Sequence, residues 1–116
     1  MGTTTDVLQH HLGCFGSGDL DGIMEDYTND SVVFTPNGTL KSPAAIRELF
    51  TGMFAEFAKP GAEFAMDVQE VEGEGAYIVW HAETADNVYE LGTDTLIVRD
   101  GKIAIQSFAG KIVPKA

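Results

Sequence analysis

Residues 89–113, YELGTDTLIVRDGKIAIQSFAGKIV, decide how the chain is read. Val88 to Val98 and Ile103 to Ile112 are two strand-like runs, and Arg99-Asp100-Gly101-Lys102 is the tight turn that joins them. Counting in twos from Asp94 reaches Leu96 and Val98, so a carboxyl shares a strand face with two aliphatic side chains. An unpaired carboxylate among apolar groups tends to stay protonated. If that face is the buried one, Asp94 calls for a special explanation.

Working outward, everything after Gly61 reads as strand. Glu63 to Glu72 alternates, with Phe64, Met66 and Val68 on one face, and Gly73-Glu74-Gly75 turns into a strand over Ala76 to Ala85. One face of that strand carries Ile78, Trp80 and Ala82, the other Tyr77, Val79, His81 and Glu83; hydrophobicity favours the first as the core-facing set. Ala85-Asp86-Asn87 then turns into the strand of Asp94.

The N-terminal half is helical. From Asp6 to Gly16, Val7, Leu8, Leu12 and Phe15 recur at helical spacing, with His11 inside the stripe and His10 nearly opposite. GSGDLDG breaks this helix, and Asp19 or Ser17 caps the next, whose row is Leu20, Ile23, Met24 and Tyr27. Asn29-Asp30 reads as a turn, Ser31 to Thr35 as a short strand, and Pro36-Asn37-Gly38 as the turn back through Thr39 to Lys41. Ser42-Pro43 opens a third helix carrying Ile46, Leu49, Phe50, Met53, Phe54 and Phe57, and Pro60-Gly61 stops it. Three helices followed by an antiparallel meander predict an α+β domain, with the helices packed on one face of a curved sheet.

Composition narrows the function classes. The 116 residues suit one domain with one core. Eighteen acidic against seven basic residues give a net charge of −11, a field that repels phosphate backbones and anionic lipid heads, so nucleic-acid and membrane-surface roles are not expected. No apolar run approaches the ~18 residues needed to span a bilayer. The single cysteine, Cys14, makes no internal disulfide, and MGTTTDVLQHH lacks a signal-peptide layout, so the cytoplasm is the expected location.

The order helix, GDLD turn, helix ending in YTNDSVVFTPNG, Ser-Pro-capped helix with AAIRELF, then TDTLIVRDGKI resembles the nuclear transport factor 2-like superfamily, which includes ketosteroid isomerase and the SnoaL-like polyketide cyclases. The resemblance covers almost the whole chain. It implies one domain over residues 1–116: a cystatin-like cone of three N-terminal helices on a strongly curved mixed, mainly antiparallel sheet, with a deep apolar pocket. It also implies a homodimer through the outer face of the sheet. Members of such a scaffold include enzymes and non-catalytic adaptors, so fold alone does not set activity. Residue by residue, Asp94 falls where the isomerase has a protonated aspartic acid donating to the substrate oxyanion, and Tyr27 on a tyrosine of its supporting network. His11 stands at the oxyanion-hole tyrosine, Phe50 at a further network tyrosine, and Thr35 at the catalytic aspartate base. A threonine does not shuttle a proton near neutral pH, so the isomerase mechanism is not carried over as it stands.

Each candidate has two readings. Asp94 is a pocket acid of raised pKa, or a carboxylate that faces solvent or pairs with a backbone N–H. His11 is a catalytic partner of Asp94, or a core histidine. Tyr27, Phe50, Phe54, Trp80 and Phe108 are pocket or core residues that shape a ligand without reacting with it. His81 and Glu83 are a second site or a solvated face. His10 and Cys14, at i and i+4, have metal-ligand spacing but no third ligand nearby, so no metal is expected. No phosphate loop, dinucleotide fingerprint or nucleophile elbow is present, and no cofactor is expected. The expected function is binding of a small apolar molecule bearing a carbonyl, with cofactor-free isomerase, cyclase or dehydratase chemistry at Asp94 and His11. The alternative is a non-catalytic ligand-binding or dimerisation module.

Overall fold

The computed structural model describes residues 2–115. Helix α1, Thr4–Ser17, starts with a capping box between Thr3 and Asp6 and ends where Gly18 takes a left-handed conformation (φ 69°). Of the expected stripe it buries Val7, Leu8 and His11 and half-buries Leu12 and Phe15, and it also buries Cys14. Helix α2, Leu20–Met24, is capped by the Asp19 side chain, which accepts from Gly22 N at 2.9 Å. Helix α3, Pro43–Phe57, is capped by Ser42 with Pro43 in its first turn and buries Ile46 and Phe50.

The strands are β1 (Tyr27–Thr35), β2 (Gly38–Leu40), β3 (Glu63–Glu72), β4 (Gly75–Glu83), β5 (Asn87–Arg99) and β6 (Lys102–Pro114). They form one open sheet in the order β2-β1-β6-β5-β4-β3. Only β1 and β6 run parallel; the other neighbours are antiparallel. The β5–β6 turn has positive φ at both Asp100 (53°) and Gly101 (74°), the backbone that matches strand twist in a two-residue hairpin and that an Asp-Gly pair tolerates. The helices cover one face, and Leu8, Ile23, Ile46, Leu96 and Ile103 between the layers are fully buried. At about 1.5–3 kcal/mol for each such side chain, this seam carries much of the fold's stability. The architecture is the expected α+β cone of three helices on a mixed sheet.

Register shifts curve the sheet and account for the differences from the sequence reading. Tyr27 does not end a helix row: α2 stops at Met24, closed by short bonds from Glu25 N to Gly22 O and Asp26 N to Ile23 O. Pairing with β6 takes over, as Ile103 N donates to Asp26 O at 2.7 Å and Tyr27 opens β1 opposite Ile103. The turn expected at Asn29-Asp30 is a bulge inside β1. Buried Ser31 pins it, its hydroxyl accepting from Thr28 N (2.8 Å) and donating to Ile103 O (2.6 Å). On β3 a shift between Met66 and Val68 sends Val68 to the outer face opposite Val79, away from Phe64 and Met66. On β5 an extra residue between Tyr89 and Leu91 turns Tyr89 inward, whereas counting in twos from Asp94 puts it on the outer face. Ile78, Trp80 and Ala82 of β4 face the core, as their hydrophobicity predicted.

A half-buried carboxylate ties α3 to the β4–β5 turn. Glu56 accepts from Thr84 Oγ1 (2.6 Å), Asn87 Nδ2 (3.0 Å) and the Tyr89 hydroxyl (2.9 Å). Burial acts to raise its pKa, but these donors outweigh burial and leave the carboxyl below its ordinary value. Burial and the neighbouring Glu56 carboxylate push the Tyr89 phenol up.

Candidate functional site

Asp94 lies near the middle of β5, directly between Ile78 of β4 and Phe108 of β6. Its diagonal neighbours on that face are Trp80 and Gln106, within reach of a long side chain across a twisted pair. Trp80 Nε1 donates to Oδ1 at 2.9 Å and Gln106 Nε2 donates to Oδ2 at 3.0 Å. Gly92 makes the first of these bonds possible. It pairs with Trp80, and a Cβ at position 92 would fall inside the indole. The Tyr27 hydroxyl donates to Gln106 Oε1, so a line of donors runs from Tyr27 through Gln106 to the acid.

The carboxyl meets a pocket lined by His11, Leu12, Phe15, Leu49, Phe50 and Met53 from the helices, and by Phe64, Ile78, Trp80, Gln106 and Phe108 from the sheet. Its surroundings are overwhelmingly apolar. Burial raises the Asp94 pKa; the hydrogen bonds from Trp80 and Gln106 and the proximity of His11 pull the other way without cancelling it. Each carboxyl oxygen accepts one hydrogen bond from the protein, and Asp94 itself lines the pocket. The innermost space is small, about 50 Å³. That is room for a few waters or the polar head of a ligand. Leu12, Phe15 and Phe64 also line an adjoining groove of about 390 Å³ between α1, α3 and β3.

His11 projects from α1 into this pocket. Tyr27 (centroids 6.2 Å apart, 69°) and Phe50 (5.7 Å, 74°) hold its ring edge to face. Its Nδ1 faces Asp26 Oδ2 at 3.6 Å, and the other oxygen of Asp26 lies 2.7 Å from His10 Nδ1. His10 Nε2 is 3.5 Å from Cys14 Sγ. Burial and the nearby Asp19, Asp26 and Glu25 push the Cys14 thiol up, so it stays an S–H.

The structure therefore brings Asp94, His11, Phe50, Trp80 and Phe108 to one pocket. Tyr27 stands behind Gln106, its phenol pushed up by burial and by Asp26 and Asp94. Phe54 lines the adjoining groove and packs on Phe50 and Phe15. The Thr35 hydroxyl closes the β1–β2 turn by donating to Gly38 O at 2.9 Å. His81 pairs with Asp67 (2.8 Å) and Glu83 with Lys115 (2.6 Å), both at the surface. Among the described residues no three His, Cys, Asp or Glu side chains are grouped to hold a metal, and no helix is long and apolar enough to cross a membrane. The sequence reading missed Gln106 and Asp26. The signal for Gln106 is a polar residue on the face of Phe108; Asp26, among acidic neighbours in a turn, gives none.

Residues 8–106 match the profile of the SnoaL-like domain. No curated protein matches the sequence significantly. Among solved structures, the chain is similar to SalBIII, an epoxide hydrolase/cyclase-like enzyme in pyran ring formation in the polyether salinomycin (TM-score 0.80, 15% identity, 97% of this chain and 95% of that one covered). It is similar to an NTF2-like protein of unknown function from Cytophaga hutchinsonii (TM-score 0.78, 9% identity, coverage 96% and 92%). It is also similar to a candidate ketosteroid isomerase from Kribbella flavida (TM-score 0.75, 13% identity, coverage 93% and 77%). At these identities the likeness shows the fold alone, whereas the profile spans most of the sequence. The chain belongs to the SnoaL-like domain family.

Proposed function

We propose that the pocket receives the oxygen-bearing end of a small apolar molecule, and that Asp94 and His11 act on it without a cofactor in an isomerisation, cyclisation or elimination of a carbonyl compound. The observation that carries this reading is Asp94 itself: a carboxyl of raised pKa, held from two sides by Trp80 and Gln106 and aimed into an apolar pocket. In its protonated form, which burial favours, it donates a hydrogen bond to a carbonyl oxygen, and the donation strengthens as negative charge develops there. The low-polarity walls enlarge that effect. The net charge of −11 favours a neutral guest over an anionic one. Cyclase-like and isomerase-like relatives on the same fold are consistent with this chemistry.

Asp94→Asn and His11→Ala, assayed in parallel on β,γ-unsaturated ketones and 1,3-dicarbonyl compounds, test the reading. Turnover is followed by ultraviolet absorbance and affinity by calorimetry. Each variant is expected to lower kcat about 10²–10⁴-fold with affinity changed only a few-fold. Affinity lost without any turnover to lose returns the pocket to the binding-module reading.

Assembly and location belong to the same proposal. The outer face of the sheet exposes Phe34, Val68, Tyr77 and Ile105, an apolar band that supports a homodimer through this face. The free thiol of Cys14 supports a reducing compartment such as the cytoplasm.

A further inference from the structure

We infer that His11 is the base of this pocket and that Asp26 is its positioning residue, holding the imidazole in the tautomer that carries its proton on Nδ1 and leaves Nε2 bare toward the guest. The inference rests on the acid–base reading above and names the group that reading lacks.

Two orphan atoms carry it. Among the described residues, His11 Nδ1 and Asp26 Oδ2 are the buried side-chain polar atoms without a hydrogen-bond partner, and they face each other at 3.6 Å. Buried polar groups are almost always paired, so two orphans in register mark a hydrogen bond a few tenths of an ångström from closing. The rest of the cluster fixes its direction. Asp26 Oδ1 lies 2.7 Å from His10 Nδ1 and a carboxylate only accepts, so His10 Nδ1 carries a hydrogen and donates it, which leaves His10 Nε2, 3.5 Å from Cys14 Sγ, facing the thiol. Asp26 Oδ2 then remains as an acceptor, and a bare His11 Nδ1 opposite it would set two lone pairs against each other. Nδ1 must carry the hydrogen. In neutral imidazole the other nitrogen is the base, and His11 lines the pocket together with Asp94.

Asp26 is well placed to hold this state. It is buried and anchored by His10 through its other oxygen, and its backbone is fixed by Ile103 N. In the reaction, His11 Nε2 takes a proton from the carbon next to the carbonyl. The C–H bonding pair becomes the enolate, and the enolate oxygen is held by the hydrogen of Asp94. The imidazolium returns the proton to another carbon, so atoms, charge and oxidation level balance for an isomerisation. During the charged interval Asp26 Oδ2 faces a positive N–H, and the pair is expected to close. A carboxylate beside a histidine thus orients it and stabilises its cation without taking the proton.

The test is nitrogen NMR on protein labelled with ¹⁵N-histidine at pH 7, which reads the tautomer in the unmodified chain. His11 is expected to show a protonated Nδ1 and a bare Nε2. Asp26→Asn, whose amide presents an N–H to Nδ1, is expected to reverse the tautomer and lower kcat about 10- to 100-fold with KM within about twofold. His11 protonated at Nε2 in the unmodified protein overturns the inference even if ketones are turned over. So does an Asp26→Asn protein with unchanged tautomer and kcat. The stated tautomer with no turnover of any ketone overturns the base role together with the acid–base reading, and that result is distinct from the first. The measurement on unmodified protein decides the tautomer even if Asp26→Asn fails to fold.

Discussion

At Asp94 burial outweighs the hydrogen bonds it receives, whereas at Glu56 the hydrogen bonds outweigh burial, so acid acts on the two carboxyls in opposite senses. A depressed folded pKa means that Glu56 contributes stability above its unfolded value of about 4.3, lost as pH falls through the folded value. A raised folded pKa means that Asp94 takes stability away as pH rises from its unfolded value of about 3.9, because the unfolded chain ionises first. Glu56→Gln is expected to cost about 1–3 kcal/mol at pH 7, through imperfectly matched donors, and clearly less at pH 3.5. Asp94→Asn is expected to be relatively more stabilising at pH 7 than at pH 3.5. Urea denaturation of both variants at the two pH values checks the signs, and parallel shifts contradict them. Asp94 was legible because an acid broke an apolar alternation, and His11 because an imidazole fell inside a helix stripe. Gln106 and Asp26 were not, since a single polar residue in a strand or an acidic turn looks the same whether it faces water or a buried partner.

Elements were legible where the chain carries its own punctuation. Ser42-Pro43, Pro60-Gly61 and Asp100-Gly101 fix their boundaries through local backbone chemistry, and α3 and the β5–β6 hairpin follow from them. The bulges in β1, β3 and β5 have no such mark, because a slipped register is decided by pairing with strands far along the chain. That is why the inward turn of Tyr89 and the outward turn of Val68 escaped an alternation count. Gly92 has the same long-range origin. Gly92→Ala is expected to push Trp80 off Asp94 and to cost about 1–3 kcal/mol by overpacking. Gly52→Ala in α3, where an added methyl meets open space, is expected to gain up to about 1 kcal/mol. Thermal melts of the pair separate steric from conformational effects; equal shifts would contradict the crowding at Gly92.

The whole molecule sets a strong negative field against an apolar outer band. Phe34 is 47% and Tyr77 44% exposed in the isolated chain, on the sheet face away from the helices. Burying about 800 Å² per partner is the usual scale for a stable pair, and two chains of charge −11 approach each other only where salt screens them. Sedimentation at 0.15 M salt is expected to give a dimer, and Tyr77→Glu a monomer with its fold retained. A wild-type chain that sediments as a monomer at micromolar concentration contradicts the dimer.

The chain has one tryptophan, and that residue is Trp80. Its indole stacks between Phe64 and Phe108 and bonds the acid at the end of the pocket. All tryptophan fluorescence from this protein therefore originates on the pocket wall, one hydrogen bond from the group whose proton matters. Trp80 is thereby a built-in optical gauge: its emission colour is expected to report the wetness of the cavity, and its emission yield the ionisation of the acid it bonds, with no label attached.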